Sequence, residues 1–171
     1  MTAVAFVHGV VATPAHLAVH LPPAYVHPGH VAATAAPGAF VTILGSCVAV
    51  CLHDRSARVG GLNHFLLPHP VEDAEPSPRY ALPAIEELIR QVVAHGARQE
   101  RLVAHVVGGA TVLAAFASDS NHLGKRNVAA AYEILARRGI GVSSSDVGGI
   151  RGRKLVFSPY DGTHTIHLIG R

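Results

Sequence analysis

Position 47 is a cysteine preceded by Gly45 and Ser46 in a long apolar run, and a histidine follows at position 64, beside Phe65, Leu66 and Leu67. A thiol is a useful nucleophile only when one group takes its proton and another aims that acceptor. Thr42, earlier in the same run, is placed to hydrogen-bond the second imidazole nitrogen of His64 and so fix its tautomer. Gly45-Ser46 permits a tight bend at which the backbone N–H groups of Ser46 and Cys47 face a developing oxyanion. The same residues also fit plain packing. Free cysteine is among the most buried residue types, and Cys51 is assigned to that class. His64 among large apolar neighbours equally fits a hydrogen-bonded core histidine, and spacing alone does not choose between these readings.

The elements that must position these groups are readable from pattern. Residues 40 to 53 are β-branched and apolar, DRSAR is turn-like, and VGGLNHFLLP is apolar again, which predicts a hairpin of two buried strands. A turn centred between Arg55 and Ser56 would set Cys47 opposite His64, with Cβ atoms about 5 Å apart. A bulge at Gly60-Gly61 would make the contact diagonal. Residues 69 to 82, with three prolines among acids, read as an exposed loop. A helix is expected from Pro83, burying Ile85, Leu88, Ile89, Val92 and Val93 and closing at Gly96. Leu102 to Val107 reads as a strand. Val128, Ala131, Tyr132 and Leu135 mark a second helix that ends at Arg137, Arg138 and Gly139. Ile140 to Val147 reads as a strand, and Lys154 to Ser158 and Thr163 to Ile169 form a hairpin about Asp161-Gly162. The expected fold class is α+β: one layered sandwich of mixed and antiparallel sheet with helices packed on it, spanning residues 39 to 171. Residues 1 to 38, rich in Ala, Pro and His, read as a partly ordered arm with a short edge strand from Ala3 to Val7.

Composition removes several function classes. The chain has 171 residues, 49% apolar and 15% charged, enough to bury a core without disulfides or a structural metal. Its net charge of +3 comes without a basic run and with 5% aromatics and no Trp, so no nucleic-acid partner is expected. The first charged residue is Asp54, yet prolines interrupt the uncharged stretch before about 20 apolar residues accumulate, so no membrane insertion is expected. No basic residue precedes an apolar run as a secretory signal requires, and a cytoplasmic location with free thiols follows. Cys47 and Cys51, separated by strand, would stand about 13 Å apart, too far to bridge. His16 with His20 and His27 with His30 have helical spacing, but Pro22, Pro23 and Pro28 break a continuous helix across them, and His164 and His167 have opposite parity in a strand, so no metal site is expected.

TILGSCVAVCLHD (42 to 54), GGLNHFLLP (60 to 68), VVGGA (106 to 110), LGKRNV (123 to 128) and DVGGIRGRKLVF (146 to 157) resemble, in order, the CheD-type chemoreceptor glutamine deamidases. The resemblance implies a cofactor-free cysteine hydrolase that converts chemoreceptor glutamines to glutamate with release of ammonia, on a layered fold similar to that of cysteine deamidase toxins. It assigns the nucleophile to Cys47, the general base and acid to His64 and the orienting threonine to Thr42. It implies chemoreceptor cytoplasmic domains as partners and, in addition, a CheC-type chemotaxis phosphatase. A non-catalytic docking module and a methylesterase on receptor glutamyl esters are the competing functions. The glycine pairs at 108–109 and 148–149, with Arg126, Asn127, Asp146 and Arg151, are further matched points. The glycine pairs are read as turns, and Asp146 as a tie to Arg151 or Arg153.

Overall fold

In the computed structural model, residues 23–72, 74–111 and 121–170 are described. The expected edge strand Ala3–Val7 and the His16/His20 pair lie outside them. Among the described residues, nine strands form two mixed sheets. The outer sheet has the order β1 (Ala24–Tyr25), β3 (Phe40–Leu44), β8 (Gly152–Phe157), β9 (His164–Ile169). The central sheet runs β2 (Val31–Thr34), β5 (Val59–Asn63), β4 (Val48–Asp54), β6 (Val103–Gly108), β7 (Gly141–Val147). The β1–β3 and β6–β7 pairs are parallel and the others antiparallel. Helices α1 (Ala81–Ala94) and α2 (Leu123–Arg137) pack on one face of the central sheet, and the outer sheet covers the other. The α+β layered class is as expected.

Strand β4 explains the order of layers. Every one of its residues is buried. Val48, Val50 and Leu52 face the helices, whereas Ala49 and Cys51 pack with Phe40, Leu44, Leu155 and Phe157 of the outer sheet. A strand covered on both faces reads as an unbroken apolar run, which is what positions 48–52 show.

Four expectations are corrected. The run from Phe40 to His53 is two strands, because residues 45–47 bend and carry the chain from the outer sheet into the central one. The β4–β5 turn is centred one step later than expected. Asp54 Oδ1 accepts hydrogen bonds from the amides of Ser56 and Ala57, drawing residues 55–58 into the turn, and Cys51 pairs with Leu62. Helix α1 begins at Ala81, two residues before Pro83, and leaves Val93 43% exposed, since the stripe through Ile85, Leu88, Ile89 and Val92 already fills its inner face. Residues 24–25 and 31–34, expected within the arm, each add a strand, one to each sheet. The Asp161-Gly162 hairpin, the β6 and β7 strands and α2 form at the expected places.

Candidate active site

The bend at residues 45–47 is where the two sheets exchange the chain, and Cys47 sits on it, half-buried, just before β4. The bend is held by three hydrogen bonds, two from the 109–110 corner and one from α2. The amides of Gly109 and Ala110 donate to the carbonyls of Cys47 (2.8 Å) and Gly45 (2.8 Å). Asn127 of α2 donates from Nδ2 to the Ser46 carbonyl at 2.9 Å. Gly109 makes this approach possible. It has φ 68°, and a side chain there would run into Val128 and the Gly124 carbonyl of α2.

His64 follows β5 directly and is 1% exposed. Its neighbour Phe65 exchanges two backbone hydrogen bonds with Val48, the neighbour of Cys47. Val48 and Phe65 both point into the core under the helices. Cys47 and His64 therefore occupy diagonal positions on the opposite face, toward the outer sheet, instead of facing squarely as the earlier turn centre implied. Thr42, fully buried on β3 of the outer sheet, completes the group: its Oγ1 lies 2.7 Å from His64 Nδ1 and donates to the Val26 carbonyl at 2.8 Å.

Those two distances set the tautomer. A hydroxyl has one hydrogen, and Val26 receives it, so Thr42 can only accept from Nδ1–H. Neutral imidazole with its proton on Nδ1 has a lone pair on Nε2, and that atom is buried with no hydrogen-bond partner. The thiol is not bonded to it. Burial raises the Cys47 thiol above its ordinary range, opposed by a hydrogen bond from its own amide. Burial likewise pushes His64 down to about 4, opposed by the Val26 carbonyl. The neutral thiol and neutral imidazole are thus the resting pair, in place of a standing ion pair. Cys51 is fully buried between the sheets, and burial alone raises its thiol far out of the reactive range.

Asn127 had no assigned role in the sequence, although one signal marks it: an amide on the buried stripe of α2, between Gly124, Ala130, Ala131 and Ile134. Its Nδ2 also donates to the Leu66 carbonyl at 2.8 Å, while its Oδ1 is buried and unpartnered. Asp146 pairs with Arg153, through Nε at 2.9 Å and Nη2 at 2.8 Å, whereas Arg151 turns to the Gly170 carbonyl. The glycine pairs at 108–109 and 148–149 all take positive φ, as turns require. Among the described residues no group of three His, Cys, Asp or Glu side chains is placed to hold a metal ion.

Residues 66–168 match the family described as CheD chemotactic sensory transduction. The chain is 54% identical over 138 residues to the probable chemoreceptor glutamine deamidase CheD 1 of Anaeromyxobacter dehalogenans, spanning 81% of this chain and 80% of that one. To the probable chemoreceptor glutamine deamidase CheD of Methanococcus vannielii it is 42% identical over 139 residues, 81% of this chain and 90% of the relative. With a family match over residues 66–168 and relatives of this closeness in agreement, the chain belongs to the CheD family.

Proposed function

We propose that the chain is a protein-glutamine deamidase acting on bacterial chemoreceptors through a cysteine thioester. The observation that carries this reading is the committed hydroxyl of Thr42, which leaves His64 with an unprotonated, unpartnered Nε2 on the same face as the half-buried Cys47. In the reaction, Cys47 Sγ attacks the glutamine carbonyl carbon while its proton passes to Nε2 of His64. The resting pair is neutral, so transfer accompanies attack. The oxyanion takes hydrogen bonds from the backbone N–H groups at Ser46 and Cys47, each such donor typically worth about 3 kcal/mol in the transition state. Imidazolium then returns the proton to the departing nitrogen, the C–N bond breaks and ammonia leaves. A water molecule, deprotonated by His64, attacks the thioester carbon and expels Sγ, giving glutamate and the free thiol. No step calls on a cofactor.

On this reading residues 39 to 171 form a single deamidase domain, whose two sheets are completed by β1 and β2 from residues 24–34. No described helix is long and apolar enough to cross a membrane, in keeping with action on receptor cytoplasmic domains from the cytoplasm. A CheC-type phosphatase is a further proposed partner, on the family resemblance alone. The test is peptide mapping of receptor cytoplasmic fragments after incubation with the wild type and with Cys47→Ala. The wild type should release ammonia and convert specific glutamines, and the variant should do neither while melting normally. Conversion by Cys47→Ala would overturn the mechanism, methanol release without ammonia would make the chain an esterase, and binding without either product would make it a docking module.

A further inference from the structure

Three buried side-chain polar atoms lack hydrogen-bond partners among the described residues: Asn63 Nδ2, His64 Nε2 and Asn127 Oδ1. His64 Nε2 is accounted for by the reaction. Asn127 is not, and its geometry is informative. Both hydrogens of its Nδ2 are committed, one to the carbonyl of Ser46 and one to that of Leu66. The first carbonyl belongs to the peptide group that ends at Cys47 N–H, and the second lies two residues beyond His64. A trans peptide is planar, so its C=O and N–H point in opposite directions. Fixing the Ser46 oxygen from the α2 side therefore fixes where the Cys47 N–H points, which is away from α2. The same N–H holds the Cys47 thiol down against the effect of its burial. A buried acceptor without a partner destabilises the fold. An apolar residue on this stripe of α2 would avoid that cost, but it would release both carbonyls.

We propose that Asn127 is a positioning residue for the attacking cysteine: by clamping the Ser46 carbonyl it holds the bend that carries the sulfur and aims the Cys47 amide at the oxyanion formed beside it, and by clamping Leu66 it ties that bend to the His64 strand. The proposal rests on the deamidase reading for the oxyanion, but its effect on the sulfur is independent of any substrate. The glycine contact one turn earlier, Gly124 against Gly109, lets α2 come close enough for the short asparagine side chain to reach both carbonyls.

The test uses the full chain with Asn127→Leu, which fills the site and has no donor, and Asn127→Asp, which keeps the shape and has one hydrogen at most. The rate of Cys47 alkylation by iodoacetamide is followed across pH by mapping the Cys47 and Cys51 modifications separately, alongside kcat and KM on a receptor fragment. We expect the Cys47 alkylation profile to move to higher pH in both variants. We also expect kcat to fall by about 10- to 100-fold, less than the 10²–10³ typical of deleting an oxyanion donor outright, with KM changed by no more than about twofold. Asn127→Ser, small and retaining one donor, should lie between these variants and the wild type, and it serves as the test if the other two do not fold. A wild-type alkylation profile in any folded variant overturns the proposal. A shifted profile in a chain whose wild type releases no ammonia supports the positioning role and overturns the deamidase reading instead.

Discussion

The Thr42 hydroxyl can give its hydrogen to only one acceptor, and that acceptor is the Val26 carbonyl, so the threonine selects the histidine tautomer instead of merely touching the ring. Thr42→Val keeps the shape of the side chain and removes this control. It should slow ammonia release by roughly 10- to 100-fold, within the 10²–10⁴ that general-base catalysis supplies, without abolishing it. Cys51→Ala tests the opposite assignment. Cys51 packs in the buried cluster of Phe40, Leu62, Leu155 and Phe157 and has no part in the proposed reaction, so turnover should stay near wild type while urea unfolding shows a loss of about 1 kcal/mol, the scale of deleting one buried heavy atom. At this scale the neighbourhood of Thr42, Cys47 and His64 was legible from strand spacing, and Thr42 does meet His64, whereas the roles proposed for them came from the family resemblance, because the same spacing also fits plain packing. The partner from α2 was not legible as a functional group, because nothing in LGKRNV says that its asparagine will meet carbonyls at positions 46 and 66.

Among the elements, the sequence marked the helices and most strands through periodicity and turn residues, as with the Ile85–Val92 stripe and Asp161-Gly162. It could not mark the passage of the chain between sheets. Alternation through Phe40 to His53 is the same whether the run stays in one sheet or bends at Gly45, and both halves are apolar because each meets a covered face. The turn centre was equally hidden, since it depends on which amides Asp54 captures. Its second carboxylate oxygen also reaches Arg98 N at 3.0 Å. The packing of α2 against the 108–109 corner supplies a test of element placement. Gly109 and Gly139 share φ 68°, but only Gly109 has neighbours that a Cβ would strike. Gly139→Ala should cost about 1 kcal/mol from backbone strain alone, and Gly109→Ala at least about 1–2 kcal/mol more by thermal unfolding, with loss of activity as the bend shifts. Equal losses would mean that α2 does not bear on the corner.

For the molecule as a whole, burial of His64 couples the site to global stability. The unfolded imidazole titrates near its ordinary 6.5, whereas the folded one resists protonation until about 4. Between those values the unfolded chain binds the proton and the folded chain does not. Stability should therefore be complete above 6.5, fall as pH drops toward 4 by up to about 3 kcal/mol, and then level off for this group. Asp54 acts lower down. Its burial would raise it, but the amides of Arg98, Ala57 and Ser56 outweigh that and hold it below the usual carboxylate range, so its share is present at neutral pH and lost only in stronger acid. Urea midpoints from pH 8 to 4 check the first window: His64→Ala should flatten that slope, and an unchanged slope would place the titrating group elsewhere. Finally, Thr42 belongs to one sheet, His64 follows a strand of the other, and Cys47 rides the only direct link between β3 and β4. The three act like a pin driven through two stacked plates. A slide of one plate over the other by an ångström would stretch a 2.7 Å contact past its useful length, so the proposed catalytic trio doubles as a gauge of how well the plates are seated.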